Sequence, residues 1–244
     1  MKKLSKLSRS VQGRVAIITG AGSGMGAATA RVFADAGMKL ALFELNQENL
    51  DALIDELKAA DVDARGWALD VSDPEAVIQS VQAVQQHFQA IDILINNAGI
   101  SIPVAIDDEQ YEAAWSRSLD VLVSAHQRLI RAALPALRAS DSPRIVNIAS
   151  TEGLGATRYG SPYTAAKHAV IGLTRSLAVE LGGEGITVNC ICPGPIKTAM
   201  TESIPEEHKQ IFARRRVALR RYADPEEVAQ ITMSLVLPAL RYPW

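Results

Sequence analysis

Thr19-Gly20-Ala21-Gly22-Ser23-Gly24-Met25-Gly26 stands between a short apolar run and a helical pattern, and this stretch decides the fold. Its glycines permit a tight turn and let a pyrophosphate approach the backbone. The helix that follows supplies unpaired N–H groups and the positive end of its dipole. A glycine turn also serves close packing of a strand on a helix, which is the alternative interpretation. The position between a predicted strand and a predicted helix favours dinucleotide binding.

Short apolar runs alternate with helical patterns along the rest of the chain. The predicted strands cover residues 14–19, 39–43, 64–69, 91–95, 144–149 and 186–191. The predicted helices cover residues 24–36, 47–60, 74–88, 108–138, 162–181 and 225–237. Short apolar strands that alternate with helices are typical of a parallel sheet covered on both faces. We therefore predict an α/β fold of the Rossmann type, with a doubly wound parallel sheet.

Composition narrows the class of protein. The 244 residues suffice for one large domain, which we predict over 13–244 after a basic tail at 1–12. The net charge of −2 offers no electrostatic case for binding nucleic acid or a membrane surface. No apolar run reaches the length of a membrane span. The N-terminus lacks the apolar core of a signal peptide, so we expect a cytoplasmic protein.

The two cysteines, Cys190 and Cys192, lie in and just after the last predicted strand. Alternate residues of a strand point to the same face, so we interpret them as small buried core residues. No metal-ligand spacing accompanies them, and the four histidines do not cluster in sequence. We predict no metal site.

Tyr163 and Lys167 stand four residues apart at the start of a predicted helix, and Ser150 lies thirteen residues before the tyrosine. Residues four apart on a helix share a face. A lysine ammonium beside a phenol lowers the tyrosine pKa, and without that help a phenol is too weak an acid near neutral pH. The serine hydroxyl can hydrogen-bond the same substrate oxygen. Such a set can act on an alcohol or a carbonyl, although the pair alone is also common on solvated helices.

Polar and small residues follow the other predicted strands. Glu44 ends the second strand, where an acid can bond the adenosine ribose hydroxyls and repel a 2′-phosphate. No Arg or Lys lies in the glycine turn, so we predict NAD rather than NADP, with a solvated loop acid as the alternative. Asp70 and Val71 follow the third strand, where they can bond the adenine amino group. Asn96-Asn97-Ala98-Gly99 follows the fourth, at the sheet edge where such folds bind ligands.

Together, these motifs resemble the short-chain dehydrogenase/reductase family in order and spacing. The resemblance rests on Thr19-Gly20-x-x-x-Gly24-x-Gly26, Asn96-Asn97-Ala98-Gly99, Ser150, Tyr163-x-x-x-Lys167 and Pro193-Gly194. It covers roughly residues 11 to 240. It implies strand order 3-2-1-4-5-6 and NAD(P)-dependent oxidation of an alcohol or reduction of a carbonyl.

The resemblance also implies a role for each matching residue. Tyr163 would be the general acid/base, Lys167 would bind the nicotinamide ribose and lower the tyrosine pKa, and Ser150 would orient and polarise the substrate oxygen. The cofactor would contact Gly20, Ser23, Gly24, Met25, Gly26, Glu44, Asp70, Val71, Asn97, Ala98, Gly99, Tyr163, Lys167, Pro193, Gly194, Ile196 and Thr198. The substrate would be a small alcohol or ketone.

Two features depart from the family pattern. The family usually carries an asparagine in the long fourth helix, where it completes a proton relay through water, and the aligned residue here is Leu122. Either activity is lower, or the proton leaves by another route. His126, one turn further along, is the better substitute by face but also suits an ordinary helix position. The chain ends at Trp244, so we expect the family's seventh strand to be missing and the sixth to be an edge.

The resemblance bears on partners as well. The two long helices form a dimer interface in relatives, so we expect a homodimer or a homotetramer. The tetramer is in doubt because its usual interface uses the C-terminal region. Residues 200–221 cover the family's substrate lid and carry Arg214-Arg215-Arg216 and Arg220-Arg221. These charges suit a solvated or intersubunit helix face, or else the attraction of an acidic substrate group.

Two functions are therefore open. The first is an NAD-dependent oxidoreductase that interconverts a secondary alcohol and a ketone through Tyr163. The second is a non-catalytic or weakly active nucleotide-binding relative with a defective proton relay at Leu122.

Overall fold

The computed structural model describes residues 6–240, and six parallel strands form its central sheet. The strands are β1 Val15–Thr19, β2 Lys39–Glu44, β3 Ala64–Ala68, β4 Ile93–Asn96, β5 Arg144–Ile148 and β6 Thr187–Ile191. Their spatial order is β3-β2-β1-β4-β5-β6, with every neighbouring pair parallel. The predicted fold class and strand order are confirmed.

Helices cover both faces of the sheet. They are α1 Gly24–Asp35, α2 Gln47–Ala59, α3 Pro74–Phe88, α4 Tyr111–Leu119, α5 Ala125–Ala139, α6 Ser161–Gly182, α7 Ala199–Glu202, α8 Glu206–Arg216 and α9 Pro225–Val236. Successive strand residues point to opposite faces, so each strand serves two cores. In β1, Ala16 and Ile18 pack with α1, α2 and α9, whereas Val15 and Ile17 pack with α3, α5 and α6.

The long helix predicted over residues 108–138 differs from the structure. It begins at Tyr111, and a π-helical segment, Asp120–Ser124, separates α4 from α5. The backbone N–H of Ala125 bonds the carbonyl of Asp120, five residues back, which is the π pattern. The segment places Leu122 and His126 in the interior beside α6.

The two ends of the described chain can be compared with the predicted domain boundary and the predicted last strand. Residues 6–10 are exposed, whereas Val11 is buried and belongs to the core, so packed structure begins before residue 13. Residues 6–240 contain no seventh strand, and β6 is the last strand of the sheet. Trp244 lies outside the described residues. None of the described helices is long and apolar enough to cross a membrane.

The cysteines are less buried than the sequence predicts. Cys190 and Cys192 are free thiols of intermediate exposure. In the described part of the chain, β6, which contains Cys190, pairs only with β5. Both cysteines pack against Ala149, Val170 and Ile171. Within residues 6–240, no three His, Cys, Asp or Glu side chains cluster as a metal site.

Candidate active site

The glycine turn between β1 and α1 is packed too closely for side chains at Gly20 and Gly26, among other positions. Gly20 has a φ of 61°, and a Cβ there would lie 2.8 Å from the Cα of Ala98. A Cβ on Gly26 would lie 2.0 Å from the carbonyl oxygen of Gly20. The turn can therefore fold tightly over the end of β4 only because both residues are glycine.

The N-terminus of α1 is open to an anion. Helix α1 begins at Gly24, its cap residue Ser23 makes no side-chain capping bond, and its first turn has no acidic residue. The first backbone N–H groups of a helix have no partner within the helix. The turn and this helix end therefore fit the pyrophosphate of a dinucleotide.

Hydrogen bonds join the glycine turn to the end of β4. The Thr19 hydroxyl accepts bonds from the backbone N–H groups of Asn97 and Ala98, both at 2.9 Å. The Asn97 side-chain amide donates to the carbonyl of Thr19 at 2.8 Å. The family's Asn-Asn-Ala-Gly motif thus has a structural role here, since it holds the turn in place.

A cleft of about 350 Å³ opens at this edge of the sheet. It brings together most of the predicted site residues: Gly20, Ser23, Gly24, Met25, Glu44, Asp70, Val71, Asn97, Ala98, Gly99, Tyr163, Lys167 and Thr198. Five predicted residues do not line it: Gly26, Ser150, Pro193, Gly194 and Ile196. Gly26 lies beneath the turn, and Ser150 and Ile196 are buried nearby.

Glu44 is held at the end of β2 by backbone donors. Its carboxylate accepts hydrogen bonds from the N–H of Gly22 at 2.9 Å and from the N–H of Asn46 at 3.0 Å. The side chain is therefore fixed against the glycine turn while it lines the cleft. A fixed negative charge at this position opposes a second anion beside it.

Asp70 has an arginine partner that the sequence did not reveal. Its carboxylate accepts bonds from the N–H of Ser72 at 2.9 Å and its hydroxyl at 2.7 Å, and it forms an ion pair with Arg117 of α4 at 2.9 Å. Burial alone would raise the pKa of Asp70, but the bonds from Ser72 and Arg117 hold it below its usual value. Arg117 also lines the cleft, as do Ile100 and Met200.

The segment after β6 closes one side of the cleft. The Pro193 carbonyl accepts a hydrogen bond from the N–H of Thr151 at 2.9 Å, which ties this segment to the end of β5. The methyl group of Thr198 lies against the glycine turn, because a Cβ on Gly24 would be 3.0 Å from it. Ile196 is buried and forms an isolated bridge with Ala223.

Ser150, Tyr163 and Lys167 meet where β5 and α6 approach each other. Ser150 follows β5, and its hydroxyl accepts a bond from the N–H of Glu152 at 3.1 Å. Lys167 is 3% exposed, and its ammonium donates to the carbonyl of Ile148 at 2.7 Å. The lysine Nζ lies 5.5 Å from the centroid of the Tyr163 ring. The three side chains predicted from sequence are therefore neighbours.

The expected lowering of the tyrosine pKa does not hold in this structure. Burial raises the pKa of Tyr163 above its usual value, a hydrogen bond with Ser150 opposes the shift, and the Glu152 carboxylate adds to it. Burial also lowers the pKa of Lys167 to about 8. Spacing along the helix predicted an effect of the Lys167 ammonium, whereas the shift is set mainly by removal of the phenol from water.

Leu122 lies in the π-helical segment and is fully buried. One of its methyl carbons would be 3.3 Å from a Cβ on Gly99, so the leucine packs against the motif after β4. His126 is 1% exposed, and neither ring nitrogen has a hydrogen-bond partner among residues 6–240. Burial and the nearby Lys167 charge lower the pKa of His126 to about 3, so the imidazole is neutral.

Comparison with known proteins assigns this arrangement to a family. The family model for short chain dehydrogenase matches residues 14–209. The chain belongs to the short-chain dehydrogenase/reductase family. This short-chain dehydrogenase is 35% identical over 232 residues to the 3-oxoacyl-[acyl-carrier-protein] reductase FabG of Thermotoga maritima, covering 92% of this chain and 91% of that protein. It is 37% identical to the meso-2,3-butanediol dehydrogenase of Serratia marcescens, covering 89% and 85% respectively.

Solved structures agree with the assignment. L-sorbose reductase from Gluconobacter frateurii, complexed with NADPH and L-sorbose, is similar with a TM-score of 0.90 and 31% identity, covering 97% of this chain and 94% of that one. An actinorhodin polyketide ketoreductase variant with NADPH is similar with a TM-score of 0.87 and 33% identity, covering 94% and 92%. The chain therefore shares its fold, over nearly all of its length, with two reductases solved with NADPH.

Proposed function

We propose that this short-chain dehydrogenase is an NAD-dependent enzyme that interconverts a secondary alcohol and a ketone. The observation that carries the proposal is that Ser150 hydrogen-bonds Tyr163, which with Lys167 and the glycine turn lines the cleft. When bound, the nicotinamide would supply the exchange of a hydride with the substrate carbon.

The chain's own residues would orient the substrate and move one proton. The Ser150 hydroxyl would bond the substrate oxygen, and the Tyr163 phenol would give a proton to that oxygen in reduction or its phenolate would take one in oxidation. The Lys167 ammonium would stabilise a phenolate at Tyr163 by charge. Burial lowers the pKa of Lys167 to about 8, so its charge changes near physiological pH. The other motif residues would hold the dinucleotide, as their places around the cleft support.

NAD is the cofactor we propose, and NADP is the alternative. Glu44 supports NAD, because its carboxylate is fixed by two backbone bonds at the end of β2 and would repel a 2′-phosphate. The two solved relatives described above hold NADPH, which favours the alternative. Fluorescence titration with NADH and NADPH decides between them: clearly tighter NADPH binding would remove the role given to Glu44.

The relatives' names support the reaction class rather than one substrate. They include a 3-oxoacyl-[acyl-carrier-protein] reductase, a meso-2,3-butanediol dehydrogenase and an L-sorbose reductase. These substrates share a carbinol or carbonyl carbon and little else. We propose a cytoplasmic homodimer built through α5 and α6, in keeping with the resemblance.

Tyr163→Phe is the direct test of this function. We expect turnover of an alcohol and ketone panel to be lost while NADH binding persists, since the variant removes only the acidic hydroxyl. Tyr222→Phe is the matched control, because Tyr222 packs edge-on against Phe212 away from the cleft, and it should retain activity. A fully active Tyr163→Phe enzyme would remove Tyr163 from its role.

A non-catalytic nucleotide-binding protein is the second candidate function. Leu122 favours it, because a leucine cannot bind a relay water and packs tightly against Gly99. Binding of NADH without turnover of any panel member, with either cofactor, would support this candidate. The intact set of Ser150, Tyr163 and Lys167 favours the enzyme.

A further inference from the structure

A second cavity, of about 400 Å³, opens between the loop that follows Ser150 and helix α8. Arg158 lines it from the loop, and Arg215 and Arg216 line it from the helix. No carboxylate belongs to its lining, and no residue of its lining belongs to the cofactor cleft. The cavity is therefore lined by different residues from the cofactor cleft, and its charged side chains are all positive.

The three arginines of this cavity have no carboxylate partners among residues 6–240. The guanidinium carbon of Arg158 lies 4.5 Å from the centroid of the Tyr159 ring, so stacking positions it and leaves its N–H groups for a ligand. Arg138, in contrast, donates two hydrogen bonds to the carboxylate of Glu184. Unpaired like charges around one cavity attract an anion.

Each wall of the cavity belongs to a stretch of chain that also contributes residues to the active site. The segment between β5 and α6 begins near Ser150 and ends at Gly160, shortly before Tyr163, and Ala156, Thr157 and Arg158 from its middle form one wall. Helix α8 follows α7, whose first residues, Ala199 and Met200, line the cofactor cleft. The segments that form the two walls therefore begin at residues of the active site, Ser150 on one side and the cleft-lining start of α7 on the other.

The cavity also has an apolar part. Ile211 and Phe212 of α8 line it, and they are 42% and 38% exposed. They would cover the carbon chain of a ligand that joins its reactive carbonyl to its charged group. Exposed apolar side chains next to fixed charges are typical of sites that bind amphipathic small molecules.

We propose that this cavity binds an oxyanion of the substrate, a carboxylate or a phosphate, while the substrate's carbonyl reacts at Tyr163. Guanidinium groups match both oxyanions because their planar donors bond two oxygens at once. The proposal rests on the oxidoreductase function and adds to it the substrate class: ketones and alcohols that carry a negative charge. Of the two interpretations of the arginine run, it selects attraction of an acidic substrate group.

Matched substrate pairs test the charge. A longer oxo acid, 7-oxooctanoate, with its methyl ester probes a carboxylate, and acetoacetyl-coenzyme A with acetoacetyl-N-acetylcysteamine probes a phosphate. We expect the anionic member of at least one pair to have a kcat/KM about tenfold higher or more, a preference that weakens as salt is added. Equal use of both members of both pairs would overturn the proposal while leaving the oxidoreductase function intact.

Charge-removing variants locate the effect. Arg215→Gln/Arg216→Gln should lose the preference for the anionic substrate mainly through a higher KM, with the neutral substrate unchanged. Arg214→Gln is the matched control, since Arg214 belongs to the same run but does not line the cavity. An equal loss in both variants, or a changed oligomeric state with an unchanged preference, would assign the run to a surface or subunit role instead.

A binding measurement covers the case in which no carbonyl compound is turned over. Calorimetric titration of 7-oxooctanoate and acetoacetyl-coenzyme A then compares the wild type with Arg215→Gln/Arg216→Gln. Weaker binding to the double variant alone would support the cavity even though the proposed function had failed. Equal binding to the wild type, the double variant and the Arg214→Gln control would overturn it.

Discussion

Replacing His126 with leucine should remove part of the protein's acid sensitivity. His126 is 1% exposed, and its pKa in the folded chain is about 3, far below the ordinary value of about 6.5. Because the pKa of His126 is lower in the folded chain, the unfolded chain is the first to protonate this histidine as the pH falls. Folding stability from this group is therefore complete above about pH 6.5 and is lost as the pH falls towards 3.

The size of the effect follows from the shift. Each unit of pKa difference corresponds to about 1.36 kcal/mol, so at about pH 5, some 1.5 units below the ordinary value, His126 should cost about 2 kcal/mol of folding free energy. For a domain of this size that corresponds to a fall in Tm of about 4–8 °C. Leucine is similar in volume and has no proton to bind, so the variant should not show this loss.

Urea unfolding followed by circular dichroism is the assay, at several values between about pH 7.5 and 5, with constant ionic strength and protein concentration and without nucleotide. His168→Gln is the control, since His168 is exposed on α6. We expect the wild type and the control to lose about 2 kcal/mol more than His126→Leu over this range. Parallel curves for all three proteins would refute the buried neutral imidazole.

Three further changes test other parts of the structure. Gly26→Ala should destabilise the fold by about 3 kcal/mol or more and abolish NADH binding, since its Cβ would lie 2.0 Å from the Gly20 carbonyl; urea unfolding and fluorescence titration check this. Glu44→Gln should improve NADPH binding relative to NADH about tenfold, measured by fluorescence, and an unchanged ratio would contradict the repulsion argument. Lys167→Met should be inactive yet more stable than the wild type near pH 7. Burial lowers the pKa of Lys167 to about 8, so the wild type gains stability as the pH rises from about 8 to 10.5. Urea unfolding should therefore show the difference in free energy of unfolding between Lys167→Met and the wild type becoming smaller over that range.

The strands of the sheet could be predicted from the sequence because each strand is marked by residues that are close together along the chain. Strands such as Val15–Thr19 are buried on both faces and read as continuous apolar runs, and the glycine turn marks the first crossover. The same local logic placed Tyr163 and Lys167 on one helix face. The carboxyl ends of parallel strands share an edge, so most predicted residues converge on one cleft.

Features that depend on packing between distant elements could not be predicted from the sequence. Arg117 reaches Asp70 only because α4 packs near the end of β3, a contact that no spacing along the chain encodes. Helix α8 has almost no buried residue apart from Ala213, so it carries no apolar period that would reveal it. The direction of the Tyr163 pKa shift was wrong because burial, which dominates it, is a property of the fold.

The π-helical segment Asp120–Ser124 has a consequence for how this helix can change. A π turn is widened and takes up about one residue more than an α turn, so the helix after it faces as it would in a regular α-helix one residue shorter. Deleting one residue between 120 and 124 should therefore restore regular winding and leave the face that carries His126 beside Lys167. Adding a residue there would turn that face by about 100°, so insertions between 120 and 124 should be far less tolerated than a single-residue deletion.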